Sequence, residues 1–483
     1  MECSRDRILM PQAIKRMIAE GQAIVIFDDF VLRLDSWLSK HPGGRLAILH
    51  MIGKDATDEM TVVGIEKMRG VSERSLRCPE ILTYIFAGKC SYHSAATLKT
   101  MKAFRIGRKP PGPWTNLTPP IRGGVYHQEE EVVVEADTAS GSNGEDKFPA
   151  SKRSVNDENT TQSPNVRRRA DAHERPPHQI MFTAHDAGHL AITHIFAVDT
   201  LIGLFIADFC CGLSLGWWKS SHNVHHLVTN HPEHDPDIQN VPLFATCPSF
   251  FRSICSTYYD NFVFVWDAAA DFLVPYQRYT YYPIMGVARF NLYLLSWLHV
   301  LSAKSTSLGR SKAWWIRPTE ITFICCYLFL YGYCLVWRTL PTWTIRIAFV
   351  LVSHIITMPL HVQITLSHWG MSTSELGETE SFPQRQLRTT MDVDCPAWLD
   401  FIHGGLQFQA VHHLFPRVPR HNLRKAQTLV KEFCQEVDIP YTILGFADGN
   451  RKVLGRLEEV SEQLKHLVQC QQYMAETRES GLH

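Results

Sequence analysis

The apolar positions of this chain fall into runs of different kinds, and each kind predicts a different element. Ala23–Leu34 is short, partly alternating and apolar enough for strands, and Asp35-Ser36-Trp37 then starts a helix. Thr319–Trp337 and Thr344–Leu366 are apolar enough to cross a bilayer, which takes about 20 residues. The turn between them, Arg338-Thr339-Leu340-Pro341, is short. It predicts an antiparallel hairpin that returns to its starting side. Ile195–Trp217 is as long, but it carries Asp199 and Asp208, which are costly in lipid. It reads as helices packed at the interface or re-entrant within protein. Trp217, Trp218, Tyr279, Tyr281 and Tyr282 suit a membrane interface.

The polar stretches divide the rest. Residues 93–178 hold Lys109-Pro110-Pro111-Gly112-Pro113, Glu129-Glu130-Glu131 and Arg167-Arg168-Arg169, with Val132-Val133-Val134 the one apolar run. This composition predicts a disordered linker. The expected organisation is a small mixed α/β unit over 8–92, the linker over 93–178, a mostly helical membrane region over 179–435 and a polar cytosolic tail over 436–483. No internal repeat is evident.

Charge adds an exclusion. Lys and Arg together number 48, as do Asp and Glu, so nothing favours a nucleic-acid partner. The 13 cysteines show no CxxC, and pairs such as Cys210-Cys211 and Cys325-Cys326 sit in apolar runs, as buried thiols facing a reducing side would. The N-terminus has no apolar core of signal-peptide type, which places the first unit in the cytosol.

The candidate chemistry lies in three histidine clusters: His185-Asp186-Ala187-Gly188-His189, His222-Asn223-Val224-His225-His226, and Gln409-Ala410-Val411-His412-His413. Residues three and four apart share a helix face, so each run aims its imidazoles at one spot. Neutral imidazole suits iron, copper, nickel and zinc. The set is too large for one tetrahedral zinc, which takes about four ligands, and two metal ions sharing one cage are the simpler reading. His368, after the second good span, is either a further ligand or an interfacial cap. Asp186, Asp235 and Asp237 are placed to accept the free ring N–H of ligating histidines and fix their tautomers. His231 and His234 follow the second cluster closely, and His361 reads as a packed polar residue.

These clusters resemble the histidine boxes of the membrane fatty-acyl desaturases and hydroxylases. The resemblance is closest to the front-end branch, which carries an N-terminal cytochrome b5 domain and a Gln opening the third box. Phe182–His194, Gly216–Asp237 and Gly404–Leu423 are similar to fungal sphingolipid Δ8 desaturases. In the first unit, His41-Pro42-Gly43-Gly44 and Gly53-Lys54-Asp55-Ala56-Thr57-Asp58 resemble cytochrome b5, where the HPGG histidine is an axial haem ligand. The family pattern puts the second axial histidine at position 64 or 65, and this chain has Gly64 and Ile65 there. His50 reads as an ordinary helix residue. The family also places two membrane helices just before the first box, whereas here Arg175-Pro176-Pro177 stands there.

The resemblance implies a multi-domain protein: an α+β cytochrome b5-like unit, a linker, and a mostly α-helical desaturase domain at the endoplasmic reticulum membrane, multi-pass with a cytosolic N-terminus. It implies a di-iron centre on His185, His189, His222, His225, His226, His412 and His413, with His368 as a further ligand and Gln409 coordinating or positioning. His41 would bind haem b. The implied reaction is O2-dependent desaturation of a sphingoid base, ceramide or acyl lipid, fed with electrons from NADH–cytochrome b5 reductase. The alternatives are a front-end fatty-acyl desaturase or hydroxylase, and an inactive paralogue that keeps the metal cage.

Overall fold

The computed structural model describes residues 7–38, 41, 45–60, 101–117, 178–259, 261–302, 314–374 and 380–477. The N-terminal unit is built on an antiparallel sheet of β1 (Ile24–Phe27), β2 (Phe30–Arg33) and β3 (Arg105–Arg108), in that order. Helix α1 (Pro11–Ala19) packs Ile14 and Ile18 against it, and α2 (Arg45–Leu49) adds Ile48 and Leu49. The alternating run thus forms strands as expected.

The boundary at 92 is too early. Met101 and Leu117 belong to the same buried core, β3 lies at 105–108, and the Trp114 indole donates to the Gly53 carbonyl at 3.0 Å. The first unit therefore runs on to Leu117. The pairing partner of β3 is some 75 residues away in sequence, so no local hairpin signal marks this strand. The remainder of the linker, 118–177, lies outside the described residues.

The second unit begins with α3 (His178–Gly188), which carries the first cluster. Helix α4 (Phe196–Leu204) continues as a π-helical stretch, Phe205–Cys210, and then bends by 114° into α5 (Leu215–Leu227). The run expected to be interfacial or re-entrant is thus broken sharply rather than continuous. It leaves His189 and His222 on the same side. Exposed Ile192, Ile195, Val198, Leu201 and Phe205 give this segment an apolar outer face.

Helix α6 (Gln277–Leu301) was not anticipated beyond its aromatic belt. With the short segment before it, Ala268–Leu301 is one of three helical stretches long and apolar enough to cross a membrane. Its start lies beside Thr365, which meets the Tyr281 hydroxyl at 2.6 Å, and its end beside Arg317, whose Nε donates to the Val300 carbonyl at 3.1 Å. Both points lie at the same end of the hairpin that follows. Val287, Phe290, Leu294, Leu298 and Leu301 form an exposed stripe on it at three- and four-residue spacing.

The hairpin has the expected form. Its first arm is α7 (Ile316–Tyr327), continued π-helically to Thr339; its second is α8 (Trp343–Ile355) followed by α9 (Met358–Leu366). The arms meet where Tyr331 and Ser353 hydroxyls lie 2.7 Å apart. Beyond the hairpin come α10 (Phe382–Thr389), β4 (Asp392–Asp394), α11 (Gln409–Leu414) and α12 (Leu423–Glu436).

The polar tail expected from 436 onward is integral to the fold. Strand β5 (Ile443–Gly445) pairs in parallel with β4, and α13 (Phe446–Thr477) sends Val453, Leu457, Val460 and Leu464 into one core with Tyr281, Val362, Leu366 and Trp369. Its charged outer face disguised a buried stripe.

The two units touch. Ala47 and Leu46 of α2 pack on Val224, Leu227, Val228, Tyr258 and Tyr259, the back of the second-cluster helix. Beside this seam the His50 ring lies 4.9 Å from that of His234, which stacks on His231 at 4.0 Å.

Candidate metal centre

The first cluster needs a helix, and α3 supplies it, with His185 and His189 one turn apart. No membrane span anchors α3 among the described residues. Three contacts hold it instead. Ala184 packs with Leu204, Ala207 and Leu215. Arg420 donates to the Thr183 hydroxyl at 2.9 Å and pairs with Asp186 at 3.5 Å. Phe182 lies so close to Gly404 that a Cβ there would stand 1.9 Å from its ring, and Gly404 has φ of +61°. Glycine is required there on both counts.

The second cluster lies along α5 and the third along α11, so all three box helices point into one volume. The ligating atoms of His185, His189, His222 and His412 lie within 4.8 Å of one another, as do those of His225, His368 and His413. His226 stands between the two groups. Its Nε2 is 3.0 Å from Nε2 of His222, and its ring stacks on His413 at 4.1 Å. The hairpin brings in His368, two residues past α9, which the sequence left open between ligand and cap. Gln409 opens α11 and is buried, one turn ahead of His412. His361 hydrogen-bonds the Met285 carbonyl at 3.0 Å, away from both groups, as a packed polar residue.

The donor set fits metal ions. Nε2 of His185, His189 and His412 is buried without a hydrogen-bond partner. Buried polar atoms are ordinarily satisfied, and a metal ion would satisfy these. Burial and the charge of neighbouring imidazoles hold His189, His412 and His413 well below the ordinary histidine range. They are neutral at pH 7, the state that ligates.

The carboxylates lie behind the rings. Asp235 Oδ2 accepts from His225 Nδ1 at 2.8 Å and from the Asn230 amide at 2.7 Å. Asp237 Oδ2 is 3.7 Å from the same ring nitrogen. Asp186 stands 3.7 Å from His185 Nδ1. Sequence reasoning missed Gln386. It accepts from His413 Nδ1 at 2.9 Å and donates to the His226 carbonyl at 2.8 Å, so it binds the second box to the third. Nothing local marks it, since its partners lie 27 and 160 residues away.

In the N-terminal unit His41 is half-buried just ahead of α2. Positions 64 and 65 lie outside the described residues, and neither Gly nor Ile carries a donor atom. His50 is turned to His234 at the seam.

Comparison with known proteins agrees with this architecture. The fatty acid desaturase family model matches residues 178–445, and the cytochrome b5-like haem/steroid-binding domain model matches 11–109. The chain belongs to the fatty acid desaturase family. Among curated desaturases, the Delta 8-(E)-sphingolipid desaturase of Emericella nidulans is 40% identical over 566 aligned positions, covering 98% of each chain. That of Komagataella phaffii is 38% identical, covering 96% of this chain and 95% of its own. The Delta(8)-fatty-acid desaturase of Helianthus annuus is 37% identical over 60% of this chain. The alignment of 566 positions exceeds the 483 residues of this desaturase by 83, so at least 83 residues of the Emericella protein have no counterpart here. A mostly helical desaturase domain behind a cytochrome b5-like domain is thus its architecture, with apolar helices consistent with a membrane protein.

Proposed function

We propose that this chain introduces a double bond at the Δ8 position of a sphingolipid long-chain base, using two iron ions held by the three boxes. The convergence of the boxes into two adjacent imidazole groups carries this reading, and the relatives' activity supports the substrate. The ligands are His185, His189, His222 and His412 on one side, and His225, His368 and His413 on the other, with His226 between them. Gln409 coordinates weakly through its amide oxygen or positions the third box. Bound there, a pair of irons supplies the O2-driven oxidation of an unactivated C–H bond. In the balanced reaction two hydrogens leave the lipid. With two electrons and two protons they reduce O2 to two waters.

The residues do the rest. Asp235 holds a proton on His225 Nδ1 and leaves Nε2 for metal. The exposed apolar faces of α4 and α6 support a site at the bilayer surface, which a ceramide or sphingoid base enters laterally. The location is the endoplasmic reticulum membrane with a cytosolic N-terminus. Electrons come from NADH through cytochrome b5 reductase. Haem b on His41 alone would have one protein ligand and an open axial position, as in globins and peroxidases and unlike electron-transfer cytochromes. Delivery to the irons runs through cytochrome b5.

Two observations keep other readings in view. The sunflower relative favours a front-end fatty-acyl desaturase or hydroxylase. The 83 or more unmatched positions favour a weakly active or inactive paralogue. Lipid analysis of a Δ8-desaturase-null fungal host expressing this chain decides among them. Δ8-unsaturated long-chain bases support the proposal. Unsaturated or hydroxylated fatty acyl chains, or no new lipid with iron bound, would replace it with the corresponding alternative.

A further inference from the structure

The second-box helix, α5, starts in an unusual way. A helix leaves its first N–H groups without intrahelical partners, and one side-chain cap commonly satisfies one of them. Here three side-chain oxygens satisfy three. Leu215 N donates to Asp208 Oδ2 at 3.2 Å, Gly216 N to Glu320 Oε1 at 2.7 Å, and Trp217 N to Ser214 Oγ at 2.9 Å. Ser214 Oγ itself donates to the same Glu320 oxygen at 2.8 Å. The three acceptors come from different segments: the π-helical stretch Phe205–Cys210, the cap residue, and α7, the first arm of the hairpin.

Both acids are buried, Asp208 at 0% and Glu320 at 2% exposure, and Asp208 Oδ1 has no hydrogen-bond partner. Burying carboxylates is costly, and Ser214 alone would make an ordinary cap. The fit is also close. A Cβ on Gly216 would stand 2.7 Å from Glu320 Oε1, so glycine lets the carboxylate reach the backbone. Seven residues separate Leu215 from His222, about 10 Å along the helix. Any tilt or rotation at the start of α5 is carried to His222, His225 and His226. The groups they must meet, His368, His412 and His413, follow the hairpin to which Glu320 belongs.

We propose that Glu320, assisted by Asp208, is a positioning residue that sets the height and rotation of the second-box helix against the membrane hairpin. It thereby sets the geometry of the metal cage. This rests on the reading that the boxes hold metal.

The test uses the full-length protein in detergent with Co2+ as probe, reading Co2+ affinity and the ligand-field absorption spectrum. Glu320→Gln keeps an oxygen that accepts both bonds and is expected to match the parent. Glu320→Leu is expected to bind Co2+ about tenfold more weakly, the lower range for losing an outer hydrogen-bond partner, with an altered spectrum. Gly216→Ala displaces the same carboxylate from the other side. It is expected to shift the spectrum in the same direction, and it carries the test should Glu320→Leu not fold. Parental affinity and spectrum in the folded Glu320→Leu or Gly216→Ala protein would overturn the inference. So would a Glu320→Gln protein as impaired as Glu320→Leu. An unmodified chain that binds no Co2+ overturns the metal reading itself, and this inference with it.

Discussion

Asp235 Oδ2 lies 2.8 Å from His225 Nδ1, and the same oxygen takes the backbone amide of Asn230 at 2.7 Å. The backbone bond fixes the carboxylate, and the carboxylate fixes the ring. Asp235→Ala is therefore expected to weaken metal binding roughly 10- to 100-fold, the usual cost of losing such a partner. Metal content after dialysis against a graded chelator series checks this, and parental retention would refute it.

His226 touches both imidazole groups, whereas His368 belongs to one. His226→Ala is expected to abolish desaturation and to reduce iron from about two per chain to less than one. His413→Ala is expected to abolish desaturation as well. Both variants should still fractionate with membranes. Iron quantitation on purified protein decides it, and one zinc with no iron in the parent would defeat the scheme.

Asp392, behind the third box, gives a pH signature of its own. It accepts the Ala410 amide at the start of α11 at 2.8 Å, the Gln427 amide at 2.8 Å, and the Tyr441 hydroxyl. Burial nonetheless pushes its carboxyl up to about 6. Between the ordinary value of 3.8 and about 6 the folded state holds a proton that the unfolded state has lost. Stability thus falls as pH rises through that window, by roughly 3 kcal/mol over two units. Thermal unfolding at pH 4.5 and 7 should show this slope in the parent and a flatter one in Asp392→Asn.

Ala47 is buried against Val224 and Leu227 across the seam. A charge there has no partner, and leaving a buried polar group unsatisfied costs about 1–3 kcal/mol or more. Ala47→Glu is expected to speed amide hydrogen exchange in Arg45–Leu49 about tenfold or more, by separating the units. Unchanged exchange would show that the seam does not hold.

The haem expectation is spectroscopic. The full chain is expected to give little or no low-spin cytochrome b5 spectrum. Gly64→His or Ile65→His should restore it. A normal six-coordinate spectrum from the unmodified chain would show that another residue fills the second position.

The site was more legible in the sequence than the fold around it. His185 and His189, or His222 and His226, are one turn apart, so helix periodicity alone puts each pair on one face. The hairpin was legible because its apolar arms flank a four-residue turn. Contacts that join distant segments left no such trace. Glu320 reaches Ser214 across 106 residues, and β3 joins β2 across some 75 residues, just ahead of a Pro-rich stretch. Helix α13 hid its buried stripe under a charged outer face. Local pattern records periodicity, and these features depend on chain closure.

The seam between α2 and α5 also governs how this protein can be re-engineered. Leu46 and Ala47 follow the HPGG sequence by one residue, and their counterparts Val224 and Leu227 alternate with the second-box histidines on one helix. The N-terminal module is therefore no interchangeable cartridge. A chimera that borrows the corresponding module from a relative inherits a foreign footprint on the helix that aims three imidazoles. Such grafts should be drawn with both halves of the seam taken from the same parent.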